Sequence, residues 1–279
     1  MKVLVTGHKG FIGSELYKKI KQNKQINVVG LDLKQGEDIL ECLPNENFDY
    51  VFHFSALPRV EYSIKNPSYT FKQNAYATSV LLEWCKNHGV KRFIFSSSSA
   101  VIGDGPDNSP NSPYGLHKLI SELECKLYSK IYDLDTVCLR YFNVFSENQK
   151  YGGAYSTVIC AWSEMINKNK SLRIDGDGKQ TRDYIHIDDI VSANIFCMNF
   201  KENFDGACYD VGTGKSISLN EIKTFVDKYH HVSWNKCQER KGDVKHTIAK
   251  INDLKNIGWT SKIESKSAIE KIFKELQND

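Results

Sequence analysis

The sequence predicts an α/β protein: a doubly wound parallel sheet with a smaller, interleaved C-terminal part. Three observations carry that prediction. Short apolar runs recur at 2–6, 27–32, 50–54, 92–96 and 136–141, with helical segments between them, the alternation from which parallel sheets are wound. The first run passes straight into Gly7, Gly10 and Gly13, a G-x-x-G-x-x-G loop between strand and helix. The 279 residues, 41% apolar and 25% charged, supply ample chain for a core.

The elements follow in order. Lys2–Thr6 is the first strand, and Ser14–Lys21 reads as the first helix. Between them, Gly7 permits a tight turn, Gly10 lets a pyrophosphate approach the backbone, and Gly13 lets helix pack on strand. The helix start then offers N–H groups and partial positive charge to phosphate. Val28–Asp32 reads as the second strand, and Asp32 lies 19 residues past Gly13. A carboxylate there accepts hydrogen bonds from both ribose hydroxyls and repels a 2′-phosphate, so the expected cofactor is NAD rather than NADP, on a Rossmann sheet. Asp32 to Asp38 is too short for a crossover helix, which needs about 10–12 residues, so the helix between the second and third strands is expected to be missing. Pro67–His88 reads as one long helix closed by Gly89. Ser112 is an N-cap and Pro113 suits the first position of a helix running to Lys130. Tyr114 and Lys118 then share one face at i and i+4. A Tyr hydroxyl titrates near 10, and a neighbouring ammonium favours the phenolate; reaching about 7 takes roughly three units, or about 4 kcal/mol. The apolar residues Val80, Leu81 and Trp84, and Leu119, Leu123 and Leu127, read either as core or as a dimer seam.

The bulk numbers exclude several classes. Lys and Arg total 37 against 34 acidic residues, a net charge of +3, too small to argue for nucleic acid or an anionic membrane. No apolar run approaches the length of a membrane span, and the first strand begins at Lys2, so no signal peptide is expected. Eight cysteines lack C-x-x-C spacing and read as reduced packing residues of a cytoplasmic protein. No metal is expected: Asp175-Gly176-Asp177-Gly178 resembles a calcium loop, but Lys179 takes the next ligand position, and a tight turn fits better.

In these motifs the chain resembles the extended short-chain dehydrogenase/reductase family, specifically its NAD-dependent sugar-nucleotide epimerase/dehydratase group, and is most similar to the UDP-glucose and UDP-N-acetylglucosamine 4-epimerases. The resemblance runs through Thr6–Gly13, Val51–Ala56, Ser96–Gly103, Tyr114–Lys118, Leu139–Val144, Asp175–His186, Val211–Gly214 and Arg240–Asp243. It implies that Tyr114 is a base, that Lys118 lowers its pKa and holds ribose, and that Ser98 bonds the reacting oxygen. Ser97 and Ser99 are read as strand-end residues bonding to backbone. Gly7, Gly10, Phe11, Ile12, Gly13, Asp32, Asp38, Ile39, Phe54, Ser55, Ala56, Asn74, Tyr114, Lys118 and Tyr141 would bind NAD. Asn143, Arg182, Arg240 and Asp243 would join Ser98 and Tyr114 on a UDP-sugar, with His186 read as a strand residue rather than a catalyst. Thr247, four past Asp243, matches a size gate at which a small side chain admits N-acetylhexosamines.

The implied domains are 1–143 with 181–199, binding NAD, and 144–180 with 200–279, binding the nucleotide sugar, the 181–199 segment returning to the sheet. A homodimer through helices near 67–88 and 112–130 is implied as well. The implied reaction is epimerisation of a UDP-hexose or UDP-N-acetylhexosamine at C4. A dehydratase needs an acid–base pair beyond the hydride chemistry; the family carries Asp-Glu after the catalytic hydroxyl residue, and this chain carries Ser99-Ala100. A reductase or dehydratase of the same group, or a non-catalytic NAD-sensing regulator, are the alternatives. Retention of Ser98, Tyr114 and Lys118 argues against the last.

Overall fold

The computed structural model describes residues 1–103, 107–149, 152, 156–239 and 244–276. The chain forms two compact units, Met1–Tyr141 with Ile190–Asp210, and Phe142–Asp189 with Val211–Asp279.

The first unit is built on a six-stranded sheet. Its strands are β1 (Lys2–Thr6), β2 (Asn27–Leu31), β3 (Tyr50–His53), β4 (Arg92–Ser98), β5 (Asp135–Tyr141) and β9 (Ala207–Val211), in the order β2-β1-β3-β4-β5-β9. The pairs from β2 to β5 are parallel. Helix α1 (Phe11–Lys21) buries Gly13, Leu16 and Ile20 and places three lysines in its last turn, where they complement the helix dipole. The core joins Leu4, Val51, Phe93 and Phe95 of the strands to Leu81, Leu82 and Trp84 of α4 (Ala77–Asn87).

Between β2 and β3 the chain makes a single 3₁₀ turn, Leu33–Gln35, and no α-helix, as the short spacing requires. β2 is therefore an edge strand. The expected single helix over 67–88 is broken instead. Pro67–Phe71 (α3) is followed by a π turn at Lys72–Tyr76 and only then by α4. Gly89 follows α4 with φ +63°, the left-handed conformation that ends a helix. Helix α5 (Pro113–Tyr132) starts on Ser112, whose side chain accepts from Gly115 N–H.

Among the described residues the second unit has two small sheets. β6 (Asn143–Phe145), β8 (Thr181–His186) and β10 (Ser216–Ser218) form one, in the order β10-β8-β6; β7 (Leu172–Asp175) and β11 (Trp234–Cys237) form the other. Helix α8 (Leu219–Tyr229) begins with a reciprocal Ser218/Glu221 capping box. Its Ile222 and Val226 pack with Phe145, Ile159 and Phe273. Asp175–Gly178 is a turn at the end of β7, with Gly176 and Gly178 at positive φ.

This division differs from the expected one. Residues 181–186 do not return to the large sheet: a single residue, Phe142, separates β5 from β6, and β8 pairs with β6. The sixth strand of the large sheet is β9, from a segment expected to lie in the substrate part.

Candidate functional site

The glycine loop of the first unit is tightly packed at two of its glycines and less so at the third. A Cβ on Gly7, where φ is +73°, would lie 2.7 Å from Ser55 N and 2.8 Å from Phe54 C. A Cβ on Gly13 would lie 2.3 Å from Gly7 O. A Cβ on Gly10 would meet only Gly7 O, at 3.0 Å. Gly10 is the N-cap of α1 and no side chain caps the helix there, and a helix N-terminus favours a nearby anion. Phe11 and Ile12 open the helix half-buried. These residues fit a dinucleotide pyrophosphate.

Asp32 directly follows β2 and is buried. Its Oδ2 accepts Lys9 N–H at 2.8 Å and its Oδ1 accepts Lys34 N–H at 2.9 Å. The carboxylate thus ties the glycine loop to the turn after β2, and each oxygen retains a second lone pair for a hydroxyl. Asp38 accepts from Leu40 N–H at 3.0 Å and from Gln73 Nε2 at 3.5 Å. Ile39 places its side chain in the core beside Leu4 and Leu31.

Phe54, Ser55 and Ala56 leave β3 half-buried. Phe54 N–H donates to Thr6 O at 3.1 Å, and its ring stacks between Phe52 and Tyr141. Asn74, expected on the cofactor, is 2% exposed and clasps Leu57. Leu57 N–H donates to its Oδ1 at 2.7 Å and its Nδ2 donates to Leu57 O at 3.1 Å. Both ends of the amide hold the loop after β3 rather than facing outward. The Tyr141 hydroxyl is likewise buried, bonded to Asn194 at 3.0 Å, and burial pushes its pKa up.

Ser98, Tyr114 and Lys118 meet where β4 ends and α5 begins. Ser98 Oγ accepts Ala100 N–H at 3.2 Å, which starts the 3₁₀ turn Ser99–Val101. The start of α5 lies directly on that turn: a Cβ on Gly115 would be 2.1 Å from Ala100 O. Tyr114 N–H donates to Ser63 Oγ at 3.1 Å. This packing sets the Tyr114 hydroxyl beside the Ser98 side chain, which acts to lower the phenol pKa. One turn on, Lys118 is 3% exposed; its Nζ donates to Ser96 O at 2.6 Å and sits 4.6 Å over the Phe95 ring.

The expected lowering of the Tyr114 pKa by Lys118 is not what this structure shows. Burial pushes the phenol up to about 12, against a smaller opposing effect of Ser98. Burial pulls Lys118 down to about 8. Desolvation penalises the charged form of each group, and the Lys118 ammonium faces the Ser96 carbonyl.

Two features escaped the sequence. Ser97, expected to bond backbone, donates to Glu122 Oε1 at 2.5 Å, and Glu122 also accepts Arg140 Nε at 2.8 Å and Nη2 at 2.7 Å. The signal was there: Glu122 is i+4 from Lys118. The other is His53, at the end of β3, between Thr6 Oγ1 at 2.7 Å and Thr78 Oγ1 at 3.0 Å. Burial holds its pKa down at about 3.

The second unit carries the residues expected on substrate. Asn143 opens β6, and its Nδ2 donates to Asp183 O at 3.0 Å. Arg182 lies half-buried on β8, with Nη1 donating to Thr181 O at 2.9 Å and Lys245 O at 3.2 Å. Thr247 N–H donates to Thr181 O at 3.1 Å, while its Oγ1 is buried without a hydrogen-bond partner. Asp183 is fully buried and takes four donors: Thr213 N–H and hydroxyl, Gly214 N–H and Ala249 N–H. His186 Nε2 bonds Glu147 Oε2 at 3.0 Å, and its Nδ1 accepts Asp188 N–H at 3.2 Å. Arg240 and Asp243 lie outside the described residues.

An open parallel sheet, a glycine loop after its first strand and a Ser–Tyr–Lys set at the end of its fourth define a dinucleotide-dependent short-chain dehydrogenase/reductase. The family model for the NAD dependent epimerase/dehydratase family matches residues 3–212. The chain belongs to that family, and its cofactor is NAD. It is 28% identical to a putative UDP-glucose 4-epimerase of Methanocaldococcus jannaschii over 99% of both chains. Among solved structures it resembles the UDP-N-acetylglucosamine 4-epimerase of Methanobrevibacter ruminantium in complex with UDP-N-acetylmuramic acid, with TM-score 0.84, 31% identity, and 99% and 96% of the two chains covered. It also resembles the UDP-glucuronic acid 4-epimerase of Bacillus cereus in complex with UDP-glucuronic acid and NAD, with TM-score 0.85, 28% identity, and 99% and 100% covered. Family and neighbours together make it a nucleotide-sugar epimerase/dehydratase-type enzyme. No helix among the described residues is long and apolar enough to cross a membrane.

Proposed function

We propose that this protein epimerises a UDP-hexose or UDP-N-acetylhexosamine at C4 through a transient 4-keto sugar. The observation that carries the reading is Tyr114 placed beside Ser98 with Lys118 one turn away, followed by Ser99-Ala100 where a dehydratase needs carboxylates. Tyr114 takes the proton of the sugar hydroxyl and later returns it. Ser98 donates to the same oxygen as charge builds on it. When bound, NAD supplies the hydride acceptor and a positive charge at the nicotinamide. Lys118 adds positive charge on the same helix face, which favours the phenolate that burial disfavours. From about 12, reaching neutrality takes roughly five units, or about 7 kcal/mol.

On this reading Gly7, Gly10, Phe11, Ile12 and Gly13 hold the pyrophosphate, and Asp32 holds ribose. Asn143, Arg182, Arg240 and Asp243 hold UDP, and Thr247 is the gate that admits an acetamido group. The similarity to a UDP-N-acetylglucosamine 4-epimerase supports the last assignment. A homodimer is part of the proposal. It is supported by exposed Leu116, Leu123, Leu127 and Ile131, spaced along one stripe of α5, and by exposed Tyr69 and Tyr76 near α3; a monomeric mass by sedimentation would refute it. Eight free cysteines, five of them buried, support a reducing, cytoplasmic location.

The test is a panel of UDP-hexoses and UDP-N-acetylhexosamines resolved by chromatography, with Tyr114→Phe as control. The variant should fold and bind NAD but lose at least about a hundredfold in turnover, the scale of a general base. Near-normal epimerisation by Tyr114→Phe, or a stable 6-deoxy-4-keto product from wild type, would reject the proposal.

A further inference from the structure

Two strand ends and a helix are tied by one run of hydrogen bonds whose direction can be worked out. Thr6 ends β1, His53 ends β3, and the two are cross-strand partners. Thr78 comes from α4. All three are buried, none more than 1% exposed. The Thr78 hydroxyl donates to Asn74 O at 2.6 Å. A hydroxyl has one proton, so toward His53 Nε2, 3.0 Å away, Thr78 can only accept. His53 therefore carries its proton on Nε2, and its Nδ1 is bare. Nδ1 in turn accepts from the Thr6 hydroxyl at 2.7 Å. Thr6 Oγ1 keeps lone-pair capacity for Ser55 N–H at 3.4 Å. The run is Ser55 amide, Thr6, His53, Thr78, Asn74 carbonyl, with every proton pointing the same way.

Its place in the sheet matters. The chain leaves β1 for β2 on one side and comes back to β3 on the other, the switch point where open α/β sheets take their ligands. The loops that leave these strands touch there, since a Cβ on Gly7 would lie 2.7 Å from Ser55 N. A shift of Thr6 against His53 therefore moves the glycine loop against the segment after β3. Packing alone does not call for imidazole. Phe93 and Phe95 flank the ring at 5.8 Å each, which any flat ring would satisfy; the imidazole adds a bond at each end.

We propose that Thr6, His53 and Thr78 are positioning residues for the cofactor, setting the spacing between the glycine loop and Phe54–Ala56 that the dinucleotide requires. The inference rests on the assignment of that loop to NAD. Thr6→Val keeps the shape and removes the hydroxyl, Thr6→Ser keeps the hydroxyl, and Thr78→Val cuts the run at its other end. NAD and UDP affinities are measured by calorimetry and stability by thermal unfolding. Thr6→Val and Thr78→Val should each weaken NAD by roughly five- to tenfold, with Thr6→Ser within about twofold of wild type. UDP affinity should be unchanged throughout. Wild-type NAD affinity in a folded Thr6→Val protein overturns the inference whatever its melting temperature, as does equal loss in the Ser and Val variants. If Thr6→Val does not fold, the NAD affinity of Thr78→Val decides in its place. Wild type that binds UDP but not NAD would reject the cofactor assignment itself, a different failure.

Discussion

Gly115→Ala should separate stability from catalysis at this site. By helix propensity alone, alanine is favoured over glycine by about 1 kcal/mol. Here the new Cβ would meet Ala100 O at 2.1 Å, and Ala100 C and Pro110 Cβ at 3.0 Å. The carbonyl belongs to backbone in the turn that Ser98 caps, so it cannot rotate away as a side chain would. Ordinary contact demands that helix and turn part by roughly 1 Å, and misplacement on that scale costs about a hundredfold in rate. That is about 2.7 kcal/mol of barrier. The displaced atoms are those that hold Tyr114 against Ser98, so the loss should fall on kcat. Arg182 lies on β8, outside the perturbed turn, so UDP affinity should stay put. The assay is steady-state epimerisation across the nucleotide-sugar panel, with UDP and NAD affinities and urea unfolding measured in parallel. A variant with wild-type kcat, or one stabilised by the full propensity gain, would refute the packing argument.

Three further outcomes follow from the same structure. Asp32→Ala should weaken NAD and narrow its margin over NADP, because the carboxylate both ties Lys9 to Lys34 and faces the expected ribose; calorimetry showing tighter NADP binding to wild type would reject the assignment. Thr247→Tyr should slow N-acetylated substrates far more than plain hexoses, and equal slowing of both would remove the gate. Glu221 is held down to about 2, first by Lys266 and then by the Ser218 N–H of its capping box. A depressed carboxylate stabilises above its ordinary value near 4.5 and loses that contribution as pH falls toward 2. Glu221→Gln should therefore lower stability at pH 7 and flatten the acid limb between those values; an unchanged limb by circular dichroism would contradict it.

Local pattern made much of this protein legible. Apolar runs at 2–6, 27–32, 50–54, 92–96 and 136–141 became β1 to β5 with ends shifted by at most two residues, because buried parallel strands are continuous apolar runs. The glycine loop, the Ser112 cap and the Tyr114–Lys118 spacing were readable for the same reason: each depends on neighbours within a turn or two. The missing crossover helix followed from chain length alone. What could not be read depends on partners far along the chain. One residue more per turn at 72–76 makes a π turn without disturbing composition, so 67–88 looked continuous. Asn74 looked available until Leu57, 17 residues away, took both ends of its amide. β9 joins the large sheet, and β8 leaves it, by pairing choices that no local window contains. The protonation of Tyr114 turns on burial against a Lys118 that faces Ser96, and burial is a property of the assembled fold. Sequence by itself determined the glycine loop and the helix face that Tyr114 and Lys118 share; only tertiary structure decided which polar atoms around them are already taken, because a hydrogen bond between distant residues is fixed by packing rather than by spacing.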